Sequence, residues 1–159
     1  MKPTQFRAKR KDTGEWVTGS LIDDDYILAY IDLAESWEPG TSDHKLTCRA
    51  YEIDRKTIGQ HIGVKGYIGT TQHKVDMEVK LYEGDIVEAW NEGSRAIFAI
   101  TWSSESAPRF YLFPAWQGKK MWSVHGSDVG RKKGDYYDSL RVLGNIHDHP
   151  ELIKSNGTN

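Results

Sequence analysis

One cysteine, Cys48, stands in a chain of 159 residues, so no internal disulfide can form and nothing points to an oxidising compartment. No apolar run approaches the 18 residues of a membrane span, so no membrane partner is expected. The opening MKPTQFRAKRK is charged and lacks the apolar core of a secretory signal. Long stretches with a 3.6-residue apolar period are missing too, which excludes a helical bundle. Net charge of one sign is scarce: the formal value is -2, against the strongly basic balance usual for a dedicated nucleic-acid binder. There is no G-x-S-x-G, no phosphate-cradling glycine loop and no C-x-x-C pair. A protein of the cytoplasm without cofactor is the expectation.

Aromatic residues are plentiful. Six Trp, eight Tyr and four Phe within 38% hydrophobic residues are enough for a folded core, in one domain or two small subdomains. Turn signals recur at short intervals between them. Phe6–Ala8, Trp16–Ile22 and Tyr26–Ile31 read as three strands, separated by the turn Lys11–Gly14 and by the solvated triplet Asp23-Asp24-Asp25. Tyr26, Leu28 and Tyr30 share a face. Pro39, Gly40, Ser42 and Asp43 punctuate a loop over 34–45. Asp54–Gly59 suggests one helical turn, with Asp54 as N-cap and Gly59 as a left-handed terminator.

Further on, Asp85–Trp90 and Arg95–Trp102 flank a hairpin loop at 91–94, and Ala96, Phe98, Ile100 and Trp102 alternate. Arg109–Phe113 is a strand stopped by Pro114, residues 117–135 read as loop, and Leu140–Ile146 is the last strand. A terminal helical turn starts at Pro150 behind Asp148 or His149. The expected fold is mainly β: an antiparallel meander with one helical turn over 1–63, an exposed loop or hairpin over 64–80, a small SH3-like or barrel-like subdomain over 81–153 and a frayed tail over 154–159.

Four separated pieces carry a resemblance: "FRA" with "EWVTG" at 6–8 and 15–19, "EIDRKTIGQHIG" at 52–63, "LYEGDIV" at 81–87 and "VLGNIHDHPELI" at 142–153. In order and content they resemble the YopX family, small proteins of phages and prophages. The resemblance implies a phage-derived accessory protein in a bacterial cytoplasm, β-rich, with Thr57, Gly59, Gln60, Glu83, Gly84, Asp85, Gly144 and Asn145 as its structural motif positions. It implies no activity and no catalytic residues.

Candidate chemistry is sparse. Glu83 and Asp85, two apart, could form an acid/base pair if they shared a strand face, but Gly84 between them and Ile86-Val87 after them fit a turn feeding a strand. His147 and His149, with Asp148 between and His125 farther off, offer imidazoles without the further placed ligands of a metal site; a cap is the expected role. Asp23–Asp25 lacks the spacing of a calcium loop. Cys48 reads as a half-buried bystander. No enzyme, metal or cofactor is therefore expected.

Two basic patches remain, Arg7, Lys9 and Arg10 in the first and Lys119, Lys120, Arg131, Lys132 and Lys133 in the second. They interleave with Phe6, Trp116 and Trp122, as single-strand binders do, so nucleic acid is the alternative partner. Solvated, charged strand edges that block aggregation are the favoured reading of the same patches. The aromatic excess favours protein contacts first: self-association, or an unknown host or phage protein.

Overall fold

The computed structural model describes residues 5–31, 47–68, 77–91, 94–104, 108–116, 120–124 and 140–154. Their chain is mainly β, as expected, with eleven strands and a single short helix among the described residues. It divides into two compact units, Met1–Gln60 and His61–Asn159.

The first unit is a meander. Strands β1 (Phe6–Lys9), β2 (Trp16–Ile22), β3 (Tyr26–Ile31) and β4 (Thr47–Glu52) pair in sequence, all antiparallel. Ala8, Ile27 and Ile53 are fully buried, with Phe6, Val17, Leu21 and Ile58 packed around them. The pairing of Ser20 with Leu28 and of Ile22 with Tyr26 places Tyr26 and Leu28 on the opposite face. That face looks outward: Tyr26 is 43% exposed beside Ile27 at 0%. Gly19 lies so tight against β3 that a Cβ there would sit 2.1 Å from the Leu28 carbonyl oxygen. The sheet curls until β4 runs out against the end of β1. Lys11 N–H donates to Glu52 C=O (3.0 Å), Asp54 N–H donates to Lys9 C=O (2.8 Å), and Arg10 bridges Ile53.

Strand β4 was not foreseen; its alternation of small, charged and aromatic residues carries little hydrophobic signal. The turn at Asp54 forms as expected, as one 3-10 turn over Arg55–Thr57, with the Asp54 carboxylate accepting from Lys56 N–H (3.0 Å). Gly59 corrects the expectation: it is not left-handed. Ile58 closes the turn in extended conformation, and Gly59 opens β5 (Gly59–Ile68), where it pairs with Arg7. The left-handed glycine is Gly63, φ +80°.

In the second unit β5 pairs with β6 (Met77–Tyr82), so the described part of 64–80 is mostly paired strand. Strands β7 (Asp85–Asn91), β8 (Ser94–Ser103), β9 (Arg109–Trp116) and β10 (Lys120–Ser123) pair as an antiparallel run. Strand β11 (Arg141–Asn145) lies antiparallel to β7 and touches β5 in parallel. Two expectations are corrected here. Pro114 does not stop β9: pairing with β8 ends at Ala99–Phe113, so the missing N–H is not needed on that side. Lys120–Ser123 is strand rather than loop, because it finds β9 as a partner.

The main core lies on one face of this sheet, with Leu81, Val87, Ala89, Phe98, Ile100, Leu112 and Leu140 all buried. The other face is covered in part, with Phe113 across from Ala99 left 50% exposed. Ile86, Ala99 and Tyr111 point to it and are 0%, 4% and 7% exposed. The helix α1 (Glu151–Lys154) packs against β8 with Leu152 and Ile153 half-buried. No helix among the described residues is long and apolar enough to cross a membrane.

Candidate functional site

The carboxylate pair sits at a corner. Strand β6 belongs to β5, whereas β7 belongs to β8 and β11, and Glu83-Gly84 carries the chain from one ladder to the other. Gly84 takes φ +83°, which side chains rarely adopt. Its N–H donates to Ile100 C=O (2.8 Å) and its C=O accepts from Ile146 N–H (2.9 Å), tying the corner to β8 and to the end of β11. Asp85, 2% exposed, accepts from Tyr82 N–H (2.8 Å) across the turn. This is the backbone-bonding role that short acidic side chains play in turns. Glu83 is half-buried, not the exposed carboxylate a turn suggests.

The C-terminal motif is a second corner. Asn145, 8% exposed, accepts on Oδ1 from His147 N–H and Asp148 N–H (2.9 Å each) and donates from Nδ2 to Asp148 Oδ2 (2.8 Å). Its C=O accepts from His149 N–H (2.9 Å). His149 stacks over Gly144, where a Cβ would meet Nδ1 at 2.4 Å. His147 goes to the first corner, with Nε2 3.8 Å from where a Cβ on Gly84 would stand. The two imidazoles therefore stand over different glycines. Among the described residues no group of three or more His, Cys, Asp or Glu could hold a metal ion. Thr57, 6% exposed, links the first unit's turn to β1: Oγ1 accepts from Lys9 N–H (2.8 Å) and donates to Asp54 C=O (2.7 Å). Gln60 pairs with Phe6. The motif positions thus organise corners and turns.

The basic N-terminus is brought together, and much of it is engaged. The Arg10 guanidinium meets the Asp12 carboxylate (2.6 Å) and lies 4.4 Å from the Tyr51 ring centroid. Lys11 pairs with Glu52 (2.6 Å), and Arg55 grips Asp25 with two hydrogen bonds. Arg10 holds the Asp12 carboxyl below the usual carboxylate range, and Arg55 does the same to Asp25. Arg7 and Lys9 lie over the Trp16 ring at 4.8 and 5.5 Å. Of the second patch, Lys119, Arg131, Lys132 and Lys133 lie outside the described residues, as do His125 and the loop at 34–45; Lys120 is in β10.

Sequence reasoning missed the exposed apolar strip on the outer face of the first unit. Ile22 (44% exposed) stands directly across from Tyr26 (43%), and Leu28 is half-buried next to them. The shared parity of Tyr26, Leu28 and Tyr30 was the available signal; which face is outward follows only from pairing. Cys48 is also exposed, correcting the half-buried expectation, because it shares a strand face with Ala50, which pairs with outward-facing Leu28.

Residues 5–154 match the family model described as YopX protein, nearly the whole chain. The chain belongs to the YopX family. No curated protein matches it, and no solved structure does.

Proposed function

We propose that this YopX-family chain is a non-catalytic, phage- or prophage-derived accessory protein that self-associates and works through protein contacts in the bacterial cytoplasm. The observation that carries this reading is the outer strip of the first unit, where Ile22 and Tyr26, each more than 40% exposed, face one another across β2 and β3. Contiguous exposed apolar side chains mark contact surfaces. The candidate acid/base groups support it from the other side, since Asp85 bonds the backbone of its own turn and His147 and His149 stand over different glycines. Light scattering at micromolar concentration tests self-association: a particle above 18.1 kDa supports it and a strict monomer overturns it. Affinity capture from lysogenic cells would identify any further protein partner.

Nucleic acid is the second reading, and one observation favours it: Arg7, Lys9 and Trp16 form a cation–aromatic cluster on one face. The ion pairs of Arg10, Lys11 and Arg55 with carboxylates of the same unit weigh against it, since those charges are partly neutralised in place. Changing Arg7 and Lys9 to Ala should weaken a mobility shift and flatten its salt slope. No shift with the unmodified protein at low salt overturns this reading.

A further inference from the structure

Strand β4 ends the order of strands in the first unit and pairs with β3 from Glu52 back to Thr47 without interruption. Residues in an antiparallel ladder alternate between bonding one neighbour and facing away from it. The parity of β4 can be read from its last turn. Ile53 N–H bonds Asp25 C=O on the β3 side, whereas Glu52 C=O and Asp54 N–H bond Lys11 and Lys9 on the far side. Counting back by two, Arg49 and Tyr51 bond toward β3, and Cys48 and Ala50 turn their N–H and C=O groups away from it. These four groups have no hydrogen bond among the described residues. Cys48, Arg49 and Ala50 are all exposed, and the edge carries no Pro, Lys or bulge of the kind that blunts such strands.

We propose that this edge pairs with the same edge of a second copy, antiparallel about a two-fold axis through Arg49. The proposal rests on the self-association read above and names its surface. A two-fold axis normal to the sheet keeps each side chain on its own face, so only registers centred on a residue are open. Centred on Ala50, the ladder sets Cys48 against Glu52, whose carbonyl is already held by Lys11. Centred on Cys48, it sets Ala50 against position 46, ahead of the first residue of β4. Centred on Arg49, Cys48 of each copy faces Ala50 of the other, and all four outward groups are satisfied. The price is Arg49 opposite its own copy, a like-charge pair that salt screens. The dimer therefore tightens as ionic strength rises.

The test combines light scattering with cross-linking. Hydrogen-bonded partners in an antiparallel pair have Cα atoms about 5.5 Å apart, within the range a disulfide spans. Ala50→Cys, an exposed change, should therefore place its thiol against Cys48 of the second copy and give a covalent dimer on mild oxidation. Ala50→Ser and the unmodified protein should give little covalent dimer. Arg49→Thr should tighten the dimer about two- to fivefold by removing the like-charge pair. A monomer at all salt concentrations overturns both the edge and self-association. A dimer in which Ala50→Cys gives no more covalent product than Ala50→Ser overturns the edge alone and assigns self-association to another face.

Discussion

The two units use the same element, an antiparallel strand run, and bury it differently. In the first unit one face holds Ala8, Ile27 and Ile53, and the other leaves Ile22 and Tyr26 in water. In the second, the main core covers one face, and Ile86 and Ala99 are buried on the other, although Phe113 across from Ala99 is half exposed. Asp85, Ile86 and Val87 are three consecutive buried residues, and a carboxylate buried there needs the backbone partner that Tyr82 N–H supplies. A run covered on one side keeps a face for contacts. The surface proposed for contacts lies in the first unit, and the Glu83–Asp85 corner of the second is tied to its neighbours by backbone bonds.

The sharpest way to break that comparison is to truncate a residue buried on the face away from the main core. Ile86→Ala removes a side chain that is 0% exposed, yet it faces away from the main core. If that face is a true interior, the change should destabilise by about 3 kcal/mol, the middle of the range for Ile→Ala in cores. Thermal or denaturant unfolding reads this directly. A loss under about 1 kcal/mol would mean the second face is only loosely covered.

Next in size is the corner itself. Gly84→Val must place a β-branched side chain at φ +83° with Ile146 Cγ1 3.4 Å from the new Cβ. Strain and crowding together should lower stability by about 2 kcal/mol or more. Val at a glycine with ordinary φ would meet only the crowding, so an undiminished midpoint would show that the corner can relax into another conformation.

How much of this was legible in the sequence follows the same division. Alternation of Phe98 and Ile100 and the Gly-bounded strands of the meander are local patterns, and they came through as mainly β. The corner was legible because Gly84 and Asp85 act within three residues of each other. What depends on distant partners was not. Strand β4 exists because β3 accepts it, Lys120–Ser123 because β9 does, and β9 runs through Pro114 because β8 has already stopped pairing there. Gly59 failed as a terminator for the same reason: Arg7, 52 residues upstream in the chain's pairing, claims it as a strand residue. The outward face of Tyr26 and Leu28 needed the register to Ser20 and Ile22.

A smaller effect tests the open face. Ile22→Ser should change monomer stability by no more than about 0.5 kcal/mol, as for surface sites generally, because the side chain is already 44% exposed. The same variant should lose any partner that docks on the strip, measured by pull-down against the unmodified protein. A large loss of stability instead would mean the strip is interior to the folded chain.

The smallest effect concerns the acidic turn at the end of that strip. Asp25 takes two hydrogen bonds from the Arg55 guanidinium, and the first of the causes holding its carboxyl below the usual range is that bonding. A carboxyl depressed in the folded state contributes stability above its unfolded pKa, and the contribution is lost as pH falls through the folded value. Both side chains are substantially exposed, 36% for Asp25 and 60% for Arg55, so water and salt screen the pair and its worth is small. Arg10 depresses Asp12 in the same way, so the acid response of the whole unit cannot be assigned to one carboxylate. The comparison of unmodified protein with Asp25→Asn isolates it. The difference in melting temperature between the two should be present near neutral pH, shrink as pH falls below the carboxylate range, and shrink again in high salt. A difference that stays constant through acid would show that Asp25 acts through the shape of the Asp23–Asp25 turn, where Asp23 already holds φ +51°, and not through its charge.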